Sequence, residues 1–246
     1  MSKKKTTFAY KIVKGLIFAC YPRFEVVGAE HIPDEPVIIV GNHTQMHGPL
    51  CCEFYSPVER YTWCAGEMMH WDEVSGYAFQ DFWSQKPKWT HGFYRILSYL
   101  IAPLAVCIFN NANTIAVYHD GRAISAFKHS VQKLQEGASV VVFPEKDEKF
   151  NHILYEFQDK FIDVARLYHK KTGKEVAFVP LYIAPALKKM VYGEPIRFCA
   201  DRPIDEERGR ICDELKDSIT RLALDLPRHR VVPYRNIPKK DYPYNK

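Results

Sequence analysis

The stretch EPVIIVGNHTQMHGPL, residues 35–50, decides how this chain is read. Pro36 to Val40 is a short, largely β-branched apolar run closed by Gly41, the pattern of a buried strand, and Asn42-His43 follow at once. Polar residues just beyond the carboxyl end of such a strand stand where open α/β sheets gather ligands. Working outward, ASVVVFPE (138–145) is a second buried strand ended by Pro144, and EVAFVPLYI (175–183) is a third. NTIAVYHDGR (113–122) reads as a strand running into a turn at Asp120-Gly121. Between them Ile124, Phe127, Val131 and Leu134 mark one helical face, stopped at Gly137, and Leu154, Phe157, Phe161, Val164 and Tyr168 mark another, stopped at Gly173. Ile211, Leu215, Ile219 and Leu222 give a C-terminal helix. Strand and helix alternate, so the expected class is α/β: one domain with a largely parallel or mixed sheet flanked by helices. Residues 53–92 are rich in aromatics without a clear period and read as mixed helix and loop.

Length and composition agree with a packed domain. A chain of 246 residues can bury its own core, and 47% hydrophobic with 26% charged residues is far from the composition of disorder. The net charge of +5 is too small to point to a partner, but its distribution is informative. The first 23 residues carry Lys3, Lys4, Lys5, Lys11, Lys14 and Arg23 and no acidic residue, while Phe8, Ile12, Val13, Leu16, Ile17 and Cys20 share half of a helical wheel. A basic amphipathic helix over 1–24 is therefore expected, suited to a membrane surface or, alternatively, packed on the domain 25–226; Phe18 fits neither arrangement. Residues 227–246 form a basic, proline-rich tail. Lys11 and Lys14 interrupt any signal-peptide core, and seven scattered cysteines lack zinc-knuckle spacing, which places the expected location in the cytosol. YRILSYLIAPLAVCIF (94–109) is shorter than a membrane span and contains Arg95 and Pro103, so a buried or interfacial helix is expected there. Basic residues cluster at the two ends without a nucleic-acid motif, and no nucleic-acid partner is expected.

Three chemistries compete for His43 and His47. A metal site of the HExxH kind needs a glutamate after the first histidine, and Thr44 stands there; Glu67, His70 and Asp72 could add ligands, but no spacing demands them. Acid–base work suits His43, because an imidazole beside a bound hydroxyl can take its proton during attack on a thioester if a second group fixes the tautomer. The third possibility is a histidine hydrogen-bonded in a loop after Asn42.

GNHTQMHGPL resembles the first signature of the glycerolipid (1-acylglycerol-3-phosphate, PlsC-like) acyltransferases: Asn-His, four residues, an aspartate, then often Pro-Leu. GASVVVFPEKDEK (137–149) is similar to that family's glycine, strand and Phe-Pro-Glu-Gly-Thr-Arg block. NTIAVYHDGRAISAF and FVPLYIAP follow its middle and late blocks, so the resemblance covers about 36–185. It implies a glycerol-3-phosphate acyltransferase-like fold and an enzyme of phospholipid biosynthesis. The reaction moves a fatty acyl group from acyl-CoA or acyl carrier protein to a lipid-like hydroxyl at the cytoplasmic face of the membrane. In that reading His43 is the general base and Asn42 holds the loop, and no metal or other cofactor is needed. Glu145, Lys146, His119 and Arg122 shape or bind the acceptor, and Pro180 supports the pocket floor.

Two departures matter. Gly48 stands where the family has the aspartate that orients the imidazole, so the chain either supplies another orienter, with His47, Glu53, Asp120 and Glu145 as candidates, or is slow or inactive. Lys146-Asp147-Glu148 replaces Gly-Thr-Arg, and Tyr118-His119 stands where an arginine is common, which disfavours simple lysophosphatidate unless Lys146, Lys149 or Arg122 takes the phosphate. A catalytically diverged lipid-binding member of the fold and a metal-dependent hydrolase are the alternatives. Trp63, Met68, Met69, Trp71, Phe79, Phe82 and Trp83 either line an acyl groove or fill a core.

Overall fold

The computed structural model describes residues 6–84, 86–118, 120, 122–146 and 152–246, without the side chain of residue 123. In chain order the elements are α1 (Phe8–Cys20), β1 (Glu25–Val27), β2 (Ile38–Gly41), α2 (His47–Tyr55), β3 (Arg60–Ala65), α3 (Val74–Trp83) and α4 (His91–Asn111). They continue with β4 (Thr114–Val117), α5 (Ala123–Gln135), β5 (Ser139–Val142), α6 (Asp163–Thr172), β6 (Ala177–Ala184), β7 (Lys189–Tyr192), β8 (Ile196–Arg197) and α7 (Ile204–Asp225). Two compact units divide the chain: Met1–Tyr21 with Trp63–Ala126, and Pro22–Thr62 with Phe127–Lys246.

The larger unit is built on strands in the order β1-β7-β6-β2-β5-β3, with β8 also paired to β6. The centre is parallel: Ile39 of β2 lies opposite Val141 of β5 on one side and Val179 of β6 on the other. β7 and β8 pair antiparallel to β6, so the sheet is mixed, as the sequence led one to expect. Ile38 to Val40, Val140 to Val142 and Phe178, Val179 and Leu181 to Ile183 are buried, which explains why these strands read as unbroken apolar runs rather than alternating ones. Pro180 sits in a central strand without breaking it. β8 pairs with Ala177 and Phe178, and β7 with Leu181 to Ala184, so the proline's missing N–H falls in the gap between those two partners. Its carbonyl faces the same side and accepts the Gly193 N–H at 2.9 Å.

One expected helix is shorter than its apolar stripe. Leu154 and Phe157 are buried but extended, and residue 157 bridges antiparallel to Glu145; a single 3-10 turn (Asp159–Ile162) then leads into α6. The stripe spacing is kept because every one of these side chains faces the same core, but two backbone partners near Glu145 capture the first turn. The Gln158 N–H donates to the Pro144 carbonyl at 2.8 Å, and the Lys146 N–H to the Glu156 carbonyl at 2.7 Å.

The last twenty residues are anchored rather than trailing. Asn245 is fully buried and donates its amide to the carbonyl of Ala223 at the end of α7 at 2.7 Å. The buried His229 donates its Nδ1–H to the Pro227 carbonyl at 2.8 Å, which leaves Nε2 to accept from the Tyr182 hydroxyl at 2.9 Å.

In the smaller unit β4 neighbours β3, whose last residues belong to this unit. Met68, Val74, Ala78, Ala102, Ala105 and Val106 form its core, with Tyr77 and Phe82 packed against them, while Trp71 is 62% exposed. The aromatic stretch is thus divided between core and surface. β3 and α3 were not read from it, since neither has a clean period. α4 is longer than its uninterrupted apolar run: Lys88–Asn111 is long and apolar enough, by length and composition, to cross a membrane. One face is buried through Ser98, Ala102, Ala105 and Val106, and the other exposes Phe93, Ile96, Tyr99 and Leu100, all beyond 60%, so of the buried or interfacial helix expected here neither description covers the whole. α1 likewise turns Phe8, Ile12 and Leu16 outward and buries Tyr10. Its Thr7 cap accepts the Tyr10 N–H, and the Thr7 N–H reaches the Asn111 amide oxygen at the end of α4.

Candidate active site

In the larger unit, β2 ends at Gly41 and delivers Asn42 and His43 to the carboxyl edge of the parallel strands. Asn42 is buried and pairs both ways with Ile183 of β6: its amide donates to the Ile183 carbonyl (3.0 Å) and its oxygen accepts the Ile183 N–H (2.7 Å). That reciprocal bond fixes where the chain leaves the sheet. The next peptide is held from the segment that follows the other neighbouring strand, β5. The His43 N–H donates to Glu145 Oε1 at 2.6 Å, and the second oxygen of Glu145 accepts the Tyr155 N–H at 2.9 Å.

Beyond His43 the backbone turns left-handed for two non-glycine residues, Thr44 (φ 46°) and Gln45 (φ 56°). Thr44 is β-branched and buried, and its hydroxyl has no partner among the described residues. Each such residue costs on the order of 1–3 kcal/mol, and strain of this kind collects at functional sites. The turn is closed by the His47 N–H to the Thr44 carbonyl and the Gly48 N–H to the His43 carbonyl, both 3.1 Å, and α2 starts there. Gly48 is required by that closure. A Cβ on it would sit well inside 3.0 Å of the His43 carbonyl oxygen and 3.1 Å from Cε1 of Phe143. The loop that presents His43 therefore has no room at residue 48 for the aspartate of the acyltransferase motif.

The His43 ring is half-buried with Nδ1 turned inward, where it has no hydrogen-bond partner among the described residues. Two aromatic rings contain it: Phe143 at 5.4 Å between centroids (64°) and Tyr234 of the C-terminal segment at 4.8 Å (59°). Burial pulls its pKa down to about 4, opposed by backbone acceptors at Gln45 and at His43 itself, so the imidazole is neutral at pH 7. Glu145 is moved the other way, up to about 7 by burial, with the N–H groups of Tyr155 and His43 resisting the rise.

The expected site residues separate into groups. His43, Asn42 and Glu145 meet in the larger unit through the hydrogen bonds above, and Pro180 lies in β6 opposite Val40 of β2. Lys146 follows Glu145, half-buried, with its main chain bound to Glu156. None of the four orienter candidates bonds the His43 ring. Glu145 is spent on the His43 main chain, and Glu53 is bound to Arg60 at 2.6 Å. His47 opens α2, with its pKa lowered by burial and by the nearby Lys239. Asp120 belongs to the smaller unit, where Arg122 holds it at 2.8 Å, Glu73 adds a second carboxylate to Arg122 at 3.3 Å, and Tyr118 lies under the guanidinium at 3.7 Å. That pairing holds the Asp120 carboxyl below its ordinary range, and any anion bound by Arg122 would have to compete with two carboxylates. Tyr118 also bonds His70 at 2.8 Å, over Gly66, where any Cβ would enter the Tyr118 ring. His119, with Asp147, Glu148 and Lys149, lies outside the described residues. No group of three His, Cys, Asp or Glu side chains placed to hold a metal occurs among the described residues.

No protein-family model and no curated protein matches the sequence. The chain is similar to a solved structure, the 1-acyl-sn-glycerophosphate acyltransferase PlsC from Thermotoga maritima. The identity is 18%, the TM-score is 0.41, and the match covers 84% of this chain and 76% of that one. The residues that sequence reading missed are Thr44, Tyr155 and above all Tyr234. A tyrosine in an aperiodic tail some 190 positions from His43 carries no local signal of contact.

Proposed function

We propose that the protein is an acyltransferase of the glycerolipid type, moving a fatty acyl group from acyl-CoA or acyl carrier protein to the hydroxyl of a lipid-like acceptor. One observation carries the reading: the His43 N–H to Glu145 hydrogen bond of 2.6 Å joins the Asn-His and Phe-Pro-Glu blocks, which lie about a hundred residues apart in sequence and which the family resemblance pairs. In the reaction the acceptor oxygen attacks the thioester carbonyl as its proton passes to the neutral His43 ring; the C–S bond then breaks and the thiol leaves with that proton. A ring held neutral down to about pH 4 is free to accept that proton.

The acceptor and donor bind at the cytoplasmic membrane surface in this proposal. In the smaller unit α1 and α4 expose Phe8, Ile12, Leu16, Phe93, Ile96 and Leu100, and α1 carries Lys11 and Lys14, a composition suited to an anionic lipid surface. A second reading, a lipid-binding member of the fold without catalysis, is favoured by the unbonded His43 Nδ1. The deciding experiment follows free thiol released from long-chain acyl-CoA and from acyl carrier protein with a panel of lipid acceptors. Acceptor-dependent release that vanishes in His43→Ala supports the enzyme; no release with any pair, alongside retained vesicle binding, supports the second reading.

A further inference from the structure

We propose that Tyr234 is the positioning residue of His43, its ring holding the imidazole where a carboxylate would otherwise do so. This rests on the reading of His43 as the base. The argument begins with what the loop lacks. Gly48 leaves no room for an orienting carboxylate, and no candidate acid bonds the ring, so the imidazole's direction is set by packing. Phe143 supplies one wall from the sheet and Tyr234 the other, nearer one from the C-terminal segment. Tilted ring pairs of this spacing are attractive contacts that limit where the imidazole can turn, the orienting part of what a hydrogen bond to the ring would give.

The segment bearing Tyr234 is itself fixed at both ends. Before it, His229 is tied to Tyr182 of β6, and its N–H donates to the Asn245 side-chain oxygen at 2.8 Å. The Val231 N–H to Pro243 carbonyl bond (2.9 Å) joins the chain before Tyr234 to the chain after it, and Asn245 locks onto the end of α7. Tyr242 adds a direct tie to the histidine loop, accepting from the Gln45 side-chain amide at 3.0 Å. The aromatic wall is therefore a built part of the fold, anchored to the same strand, β6, that Asn42 grips.

The test measures kcat, KM and the His43 titration by NMR in the full chain for the native protein, Tyr234→Ala and Tyr234→Phe, with His43→Ala to assign the resonance. The titratable groups around the ring are Glu145, bound to the His43 main chain, Tyr234, tilted against the ring, and His47, with Lys239 near it, at the start of α2. In Tyr234→Ala the His43 titration should move up toward the free-imidazole range as water reaches the ring, and kcat should fall tenfold or more with the acceptor KM within about twofold. Tyr234→Phe should restore both, since the ring and not the hydroxyl is the wall. An unchanged titration in Tyr234→Ala, or a Phe variant as impaired as Ala, overturns the proposal. If the native protein releases no thiol with any donor, the acyltransferase reading fails; the NMR shift still decides separately whether Tyr234 holds the ring.

Discussion

Placing at residue 48 the aspartate of the motif that this loop resembles should damage the protein rather than improve it. A Cβ at Gly48 meets the His43 carbonyl oxygen, a backbone atom that cannot swing aside, and comes within 3.1 Å of Phe143. Relieving the clash means opening the turn, which lengthens the Gly48 N–H to His43 carbonyl bond and shifts the peptide that Glu145 holds at 2.6 Å. Overpacking of this kind costs about 1–3 kcal/mol, and the weakened hydrogen bond about another 1 kcal/mol. For a chain of this length the sum lowers Tm by roughly 5–15 °C. Because the first side-chain carbon makes the clash, Gly48→Ala should lose nearly as much as Gly48→Asp. Urea unfolding of both variants, together with thiol release under the native protein's best conditions, checks this. A neutral Gly48→Ala, or a Gly48→Asp that turns over faster than the native protein, would refute the claim that the loop's closure and not drift at an unused site keeps the glycine.

Asn42→Ala should cost about 2–4 kcal/mol in chemical denaturation, because it leaves both the N–H and the carbonyl of Ile183 unpaired in the interior. Lys188→Gly should stabilise by about 0.5–1 kcal/mol, since Lys188 holds φ at 54° in the exposed turn before β7; a loss of stability would count against strain there. Acidification should show the buried His43. Its folded pKa, about 4, lies below the unfolded value, so the unfolded chain binds the extra proton and stability is lost as pH falls from about 6.5 toward 4. His43→Ala should remove that contribution, so the stability difference between native and variant should shrink as pH falls from about 6.5 toward 4, and a difference that does not change with pH would place the ring in water. Glu145 acts with the opposite sign: with its folded pKa raised to about 7, stability falls as pH rises from about 4.5 to 7, and above that range the full cost remains. If thiol release is found, its acid limb should lie well below pH 6.5.

Much of the larger unit was legible in the sequence because its central strands are buried on both faces. Such strands announce themselves as short apolar runs, and Pro36 to Val40, 138–145 and 175–183 each became β2, β5 and β6. The helix expected from Leu154 onward shows the limit of the same signal. Its five apolar residues all reached the core, but burial does not prescribe backbone, and hydrogen bonds to Pro144 and Lys146 drew the first of them into an extended bridge. β3 and α3 went unread since their side chains divide irregularly between core and surface.

The sequence by itself also determined that Asn42 and His43 stand at a strand end and that residue 48 carries no carboxylate. Only the tertiary structure decided what those facts mean together. The glycine is demanded by a backbone carbonyl three-dimensionally adjacent to it, Glu145 serves the main chain of His43 and not its ring, and the wall beside the ring comes from Tyr234. Periodicity records which side chains avoid water, a property each residue carries locally. Which group touches which across a sheet, or from a tail folded back over 190 residues, depends on how the chain closes on itself, and no short stretch of sequence contains that.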